Sequence, residues 1–322
     1  SLKMNARNTK RHGRKICFAI VLLGVLILLT GCAMTSARPQ GIVGTATLLD
    51  LSGLAWIEDD LFLGVHDTKG GREKNALPRV SIVRLPRSET KGVTWKSPEL
   101  KFPGPGGSAS DLESASRIPG GRGFLLVESG QAGEEARRIF FARYHGGALT
   151  IESYASWPVP VENVEATEVC QVGQQLVFLY AERAGGLLST KIRWAKLSLD
   201  PILFGPFKEV TYHAEDPVGI NTRPIVALAV DGEGFIYSAS ASDPGIDDGP
   251  FRSVVWQIGR VLADQEGNPT VELGGEKRLA TLDGLKVESI AVRETKEGGR
   301  QIFVGTDDEN YGGIIRLLPG AP

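Results

Sequence analysis

Lys286-Val-Glu-Ser-Ile-Ala-Val-Arg293, followed after a turn by Arg300-Gln-Ile-Phe-Val-Gly-Thr-Asp-Asp-Glu309, reads as a β-hairpin. Both runs are rich in β-branched and aromatic residues, the side chains that suit a pleated, half-buried surface. The first strand opens on a carboxylate, Glu288, and the second ends on three, Asp307, Asp308 and Glu309.

The same cassette recurs along the chain. First strands align at Ser52-Gly-Leu-Ala-Trp56, Glu113-Ser-Ala-Ser-Arg117, Glu165-Ala-Thr-Glu-Val169, Val226-Ala-Leu-Ala-Val230 and Glu288-Ser-Ile-Ala-Val292, with starts 61, 52, 61 and 62 residues apart. Second strands follow at 61–66, 123–127, 175–181, 234–240 and 301–306, each ending at or beside an acid: Asp67, Glu128, Glu182, Asp243 and Asp307. Third strands are expected at 79–85, 137–144, 191–199, 253–261 and 313–318, and fourth strands at 93–102, 149–157, 207–213 and 270–281. Helical periodicity is absent, while 40 Gly and 18 Pro concentrate between the strand runs and mark turns.

A unit of this size repeated in series predicts an all-β radial architecture, a β-propeller of five four-stranded blades. The fifth repeat lacks a fourth strand. Residues 42–49 are strand-like and would supply it by pairing with 313–318, so that the two ends of the chain close one ring. Six blades, one of them degenerate, are the alternative count. The propeller domain is assigned to residues 41–322.

Ahead of it, residues 1–31 carry six Lys or Arg and no acid and lead into the apolar run from Ile16 to Leu29. A spanning helix needs about 20 apolar residues, so this shorter run reads as a signal peptide. Leu29-Thr30-Gly31-Cys32 resembles the bacterial lipobox, which implies lipidation at Cys32, with 32–40 as lipidated cysteine and tether. An uncleaved anchor beside a chance cysteine is the alternative. Ala33 in place of an aspartate implies the outer membrane, with the domain facing the periplasm. Loss of six positive charges from a chain of net charge −2 leaves an acidic body, which argues against a nucleic-acid partner. The partners expected are the membrane, through the lipid anchor, and a small-molecule ester or another envelope component.

Only Cys170 remains inside the domain, within the apolar pattern Val169-Cys170-Gln171-Val172, so it reads as a buried structural thiol. No CxxC, HExxH, GxSxG or P-loop pattern is present. In a propeller the start of each first strand and the end of each second lie on one face, which brings Glu113, Glu165 and Glu288 to one channel mouth. Asp67, Glu128, Glu182 and Asp307 would ring it, and Ser52 and Val226 break the pattern in the other two blades. At about 5 Å and an effective dielectric of about 20, each like-charged pair costs roughly 3 kcal/mol. The acids therefore need a counter-charge. Either a hard cation supplies it, calcium suiting an all-oxygen site, or Lys286, Arg183 and Arg223 do so as an ion-pair network. His66 beside Asp67 is a candidate base. The loop Asp243-Pro-Gly-Ile-Asp-Asp-Gly-Pro250 reads as a solvated turn, and Asp307-Asp-Glu-Asn-Tyr-Gly-Gly313 as part of the site.

Ser52-Gly-Leu-Ala-Trp, Asp111-Leu-Glu, Val164-Glu-Ala and Lys286-Val-Glu-Ser, each leading to a strand ending in Asp or Glu, resemble the bacterial phytase-like ("esterase-like activity of phytase") propeller family. That resemblance implies a metal-capable channel mouth. Two functional expectations follow. One is a calcium-dependent hydrolase of phosphoesters or esters, with Glu113, Glu165 and Glu288 as metal ligands and Asp307 or Asp308 as ligand or water-activating base. The other is a non-catalytic propeller that binds a protein or glycan partner in the envelope.

Overall fold

The computed structural model describes residues 48–68, 78–86, 92–184, 186–214, 219 and 221–319. The leader, Cys32, the tether and residues 42–47 lie outside them. Blade 1 holds β1 (Gly53–Glu58), β2 (Leu61–Val65), β3 (Val80–Arg84) and β4 (Thr94–Lys96). Blade 2 holds β5 (Leu112–Arg117), β6 (Gly123–Glu128), β7 (Arg138–His145) and β8 (Ala148–Ser156). In blade 3, β9 (Val164–Val172), β10 (Gln175–Glu182) and β11 (Ser189–Leu199) carry an outer edge in two pieces, β12 (Ile202–Phe204) and β13 (Lys208–His213). Blade 4 holds β14 (Thr222–Val230), β15 (Phe235–Ser242), β16 (Arg252–Ala263) and β17 (Pro269–Asp283). Blade 5 holds β18 (Val287–Glu294), β19 (Arg300–Thr306) and β20 (Ile315–Leu317).

Among the described strands every pairing is antiparallel and joins sequence neighbours, except that β13 pairs with β11 past β12. The inner strands β1, β5, β9, β14 and β18 each contact the next, and β18 returns to β1. Five blades therefore close one ring, and the six-bladed count is excluded.

The second strands read as unbroken apolar runs because both faces of each blade are covered. In β6, Phe124 and Leu126 pack toward blade 1 while Leu125 and Val127 pack toward blade 3. One apolar cluster fills each of the five blade interfaces. Each buried Leu, Val, Ile or Phe contributes roughly 1.5–3 kcal/mol, so the ring is held by its interfaces. Cys170 is buried in the cluster between blades 3 and 4, as a structural thiol should be.

The closure involves the N-terminal segment. The Leu48 carbonyl accepts the Gly313 N–H at 3.0 Å, and Leu51 N–H donates to Thr306 at 2.9 Å. Leu48 and Leu51 are buried between blades 5 and 1. A Cβ on Gly313 would lie 2.4 Å from the Leu49 carbonyl oxygen, so this approach requires glycine. Two outer strands differ from expectation. The fourth strand of blade 1 stops at Lys96, ahead of Pro98 and Pro103, which lack an N–H for the ladder. β20 begins at Ile315, with Gly313 making only the single bridge to Leu48.

Candidate functional site: an acidic and basic channel mouth

The inner strands run in one direction along the channel, so their starts share one mouth. Glu113, Glu165 and Glu288 each occupy the extra residue of a β-bulge. Leu112 and Ser114 pair across β6, Val164 and Ala166 across β10, and Val287 and Ser289 across β19, leaving the glutamate between them out of register. A bulge re-aims a side chain that strict alternation would send into a blade interface. In blade 4 the irregularity spans residues 224–226. Val226 is buried in the apolar cluster between blades 4 and 5, and this blade contributes Arg223 to the mouth instead.

A cavity of about 110 Å3 occupies the mouth, lined by Asp67, Glu113, Glu165, Arg183, Arg223, Asp243, Lys286, Glu288, Asp307 and Glu309. One half of it is an ion-pair network. Arg223 Nη1 lies 3.1 Å from Glu165 Oε2 and 3.0 Å from Glu288 Oε1, and its Nη2 bonds Asp243. Lys286 Nζ stands 3.4 Å from both Glu288 and Asp307, 3.7 Å from Asp243, and also pairs with Glu309. Arg183, 40% exposed, reaches Glu165 at 3.5 Å. The three cations named from the sequence stand among these acids, whose field raises the pKa of both Arg223 and Lys286 against the opposing effect of burial.

The other half is carboxylate-rich, with Asp67 and Glu113 on the cavity wall and the fully buried Asp111 beside them. Oxygens of Asp67, Asp111 and Glu113 lie within 4.8 Å of one another. Glu113 makes no hydrogen bond or ion pair among the described residues. Burial raises its pKa well above the usual carboxylate range, and Glu165, Asp111, Glu288 and Asp67 add to that effect. Asp111 is held through backbone and side chain: it adopts φ 61°, donates its N–H to the Thr68 carbonyl at 3.3 Å, its carbonyl accepts the Ser129 N–H at 3.0 Å, and its Oδ2 accepts the Ser129 hydroxyl. Left-handed backbone is uncommon outside glycine and is tolerated best by Asn and Asp. Asp111 was missed as a site residue from the sequence; the spacing Asp111-Leu-Glu113, one acid before the bulge and one on it, is the signal that could have found it.

Asp307 lines the cavity and Asp308 does not. Burial, with Glu288, Asp50 and Glu309, pushes the Asp307 carboxyl up to about 8; Lys286 opposes this but is divided among four acids. Asp308 is 1% exposed, and its oxygens accept the Lys286 N–H at 2.8 Å and the Thr306 hydroxyl at 2.7 Å. Its carboxylate thus orders the turn that carries Lys286. Neither Glu128 nor Glu182 lines this cavity. Glu128 forms a buried two-point pair with Arg138, at 2.6 and 2.9 Å, and Arg138 also donates to the Pro105 and Gly107 carbonyls. Glu182 pairs with Arg193 at 2.8 Å. His66 is 4% exposed with both ring nitrogens engaged, by the Asp50 carbonyl and the Ser81 hydroxyl at 2.7 Å, and burial lowers its pKa. It is a structural neutral imidazole with no free nitrogen to serve as a base. Asp243 anchors its loop as well as Arg223, accepting the Gly245 N–H at 2.8 Å.

No protein-family model matches the chain, and no curated protein does. Among solved structures it is similar to an exo-1,5-α-L-arabinanase from a bovine ruminal metagenomic library, at 12% identity and TM-score 0.47, covering 87% of this chain and 95% of that one. An α-L-arabinanase of Cellvibrio cellulosa complexed with arabinohexaose matches at 13% and 0.47, covering 84% and 92%. The WD40 β-propeller domain of Doa1 matches at 13% and 0.36, covering 88% and 98%. At these values the likeness bears on neither activity nor substrate; the five-bladed ring rests on the strand pairing.

Proposed function

We propose that this chain is a lipid-anchored envelope propeller whose acidic and basic channel mouth binds calcium and an anionic ester, a phosphoester before a carboxylic ester, and hydrolyses it. The observation that carries the reading is the convergence of Asp67, Asp111 and Glu113, whose oxygens lie within 4.8 Å of one another, with Glu113 making no ion pair among the described residues. An all-carboxylate donor set fits a hard cation. The ligand set thereby keeps Glu113 from the sequence reading and adds Asp67 and Asp111. Glu165 and Glu288 are engaged by Arg223, and a second dication there would compete with that guanidinium. Their task in this proposal is to hold the cationic half in place. The motif resemblance to phytase-like propellers points the same way.

When bound, the cation would polarise the ester or phosphoryl oxygen. The chain's own residues then divide the remaining work. Arg183, the most exposed of the three cations, is placed to receive a substrate oxyanion. Asp307, its carboxyl pushed up to about 8, can donate its proton to the departing alkoxide as water adds to the polarised phosphoryl or acyl centre, and the Asp307 carboxylate so formed takes the proton that this water gives up. Asp308 is a positioning residue for Lys286. A non-catalytic binding propeller is the second reading, favoured by the full engagement of His66, which leaves the mouth without a histidine base.

Calorimetry with calcium before and after chelation, on wild type and Glu113→Gln, tests the site. Binding and a metal-dependent rise in melting temperature are expected in wild type and not in the variant. No calcium binding to wild type would remove the metal and with it the hydrolase. Binding without turnover on a phosphoester and lactone panel would leave the second reading.

A further inference from the structure

Glu128 and Arg138 do not line the acidic mouth, yet they are 0% and 2% exposed, at the end of β6 and the start of β7 on the same face of the ring. A buried ion pair is costly unless its remaining donors and acceptors are also satisfied. Here they converge on one segment, the strap of residues 103–111 that leads from blade 1 into blade 2 and ends on Asp111. Arg138 Nε and Nη2 bond the two Glu128 oxygens at 2.9 and 2.6 Å. Its Nη1 donates to the carbonyls of Pro105 at 2.7 Å and Gly107 at 3.0 Å, and Nη2 donates to that of Ser108 at 3.2 Å.

The bonds continue without a gap to the site. The Ala109 carbonyl accepts from Arg79 Nε at 2.5 Å, and the Ser110 N–H donates to Glu128 Oε1 at 2.9 Å. Asp111 comes next, held between Thr68 of blade 1 and Ser129 of blade 2. Every residue from Gly107 to Asp111 thus has a backbone group fixed by a partner in one of these two blades. Arg138 supplies two of those bonds and Glu128 a third. The strap sequence Pro103-Gly-Pro-Gly-Gly-Ser108 forms neither helix nor strand, so no ladder of its own fixes its course. Its path follows from the pair.

We infer that the Glu128–Arg138 pair is the positioning device of the candidate cation site: by fixing residues 105–110 it sets where the Asp111 carboxylate stands beside Asp67 and Glu113, and with that the affinity of the mouth for calcium. The inference rests on the calcium reading of those three acids. The pair is internally neutral and neither member lines the cavity, so it acts through placement, not as a ligand or a counter-charge. Losing a group that orients a metal ligand typically weakens binding about 10–100-fold. The planar guanidinium spans one carboxylate and three carbonyls at once. An ammonium would still neutralise Glu128, but as a compact point charge with three donors it cannot reproduce that fork.

The experiment titrates calcium calorimetrically into the full-length protein carrying Arg138→Lys, with Arg300→Lys as control. Arg300 pairs with Asp231, just beyond the end of β14 at the far mouth of the channel, so the control makes the same exchange at an ion pair that does not touch the strap. Arg138→Lys should bind calcium roughly 10–100-fold more weakly than wild type, and Arg300→Lys should bind as wild type does. Arg138→Ala leaves a gap the shape of ethylguanidinium. Added ethylguanidinium should return calcium affinity toward the wild-type value, and ethylammonium at the same concentration should not; should the Ala variant fail to fold, the Lys variant decides alone. Wild-type affinity in Arg138→Lys, an equal loss in Arg300→Lys, or equal rescue by the two ions overturns the inference and leaves the calcium reading standing. No calcium binding to wild type overturns that reading and the inference with it.

Discussion

The Arg223 guanidinium donates to the Glu165 carboxylate at 3.1 Å, joining the first strands of blades 3 and 4 across the channel mouth. The same nitrogen serves Glu288 of blade 5 at 3.0 Å. A single buried cation thus stabilises carboxylates from two flanking blades that would otherwise repel each other. Arg223→Met should destabilise the fold by about 3–5 kcal/mol, the usual cost of removing one partner from a buried pair. Adding Glu165→Gln and Glu288→Gln should restore part of that loss. Urea unfolding checks both; equal stability of Arg223→Met and wild type would mean the network is ornamental.

Ring closure gives a second expectation. Leu51 is fully buried between blades 5 and 1 and hydrogen-bonds Thr306 through its backbone. Leu51→Ala should cost about 2–5 kcal/mol, and Gly313→Ala should destabilise by crowding the Leu49 carbonyl. Deleting residues 41–50 should lower the melting temperature of the whole domain. An unchanged melting temperature in that truncation would make the N-terminal segment dispensable.

The anchor is tested at Cys32. Cys32→Ala should yield soluble or unprocessed protein and lose incorporation of labelled fatty acid. Undiminished incorporation into the variant would dismiss the lipoprotein proposal.

The blades were legible because each strand is a run of β-branched and aromatic residues bounded by Gly and Pro, and because the unit repeats. The mouth was legible in part. Glu113, Glu165 and Glu288 recur at one place in the repeat, yet the register slip that turns each toward the channel follows from pairing with a second strand, which one strand's sequence does not encode. Glu128 shows the opposite effect. It occupies the same repeat position as Asp307, but Arg138 ten residues on takes it inside blade 2, where both oxygens are used. Asp111 entered the sequence reading only within the motif Asp111-Leu-Glu and not as a site residue, since its left-handed backbone depends on Thr68 and Ser129.

The last expectation concerns pH in the metal-free protein. Asp307 is raised from 3.8 to about 8 and Asp50, mainly by burial, from 3.8 to about 6. A carboxyl whose folded pKa exceeds its unfolded value binds more protons in the folded state, so its contribution is fully present below about pH 4 and is lost as pH rises through the folded value. Stability in chelator should therefore fall between about pH 4 and pH 8, with the Asp50 share gone by about 6 and the Asp307 share fading last. Salt-bridged acids with depressed pKa slope the other way, as Asp243 does, held low by the Gly245 N–H, Lys286 and Arg223 against burial. Its contribution is lost only at acid pH, below the window where Asp307 acts. Asp307→Asn separates the two, because an amide removes the titration while keeping the shape. Its urea midpoint should be flatter than wild type between pH 6 and 8 and should overtake wild type at the alkaline end. Parallel curves for the two proteins across that window would show that Asp307 is ionised in the folded state, and would withdraw it as the proton donor.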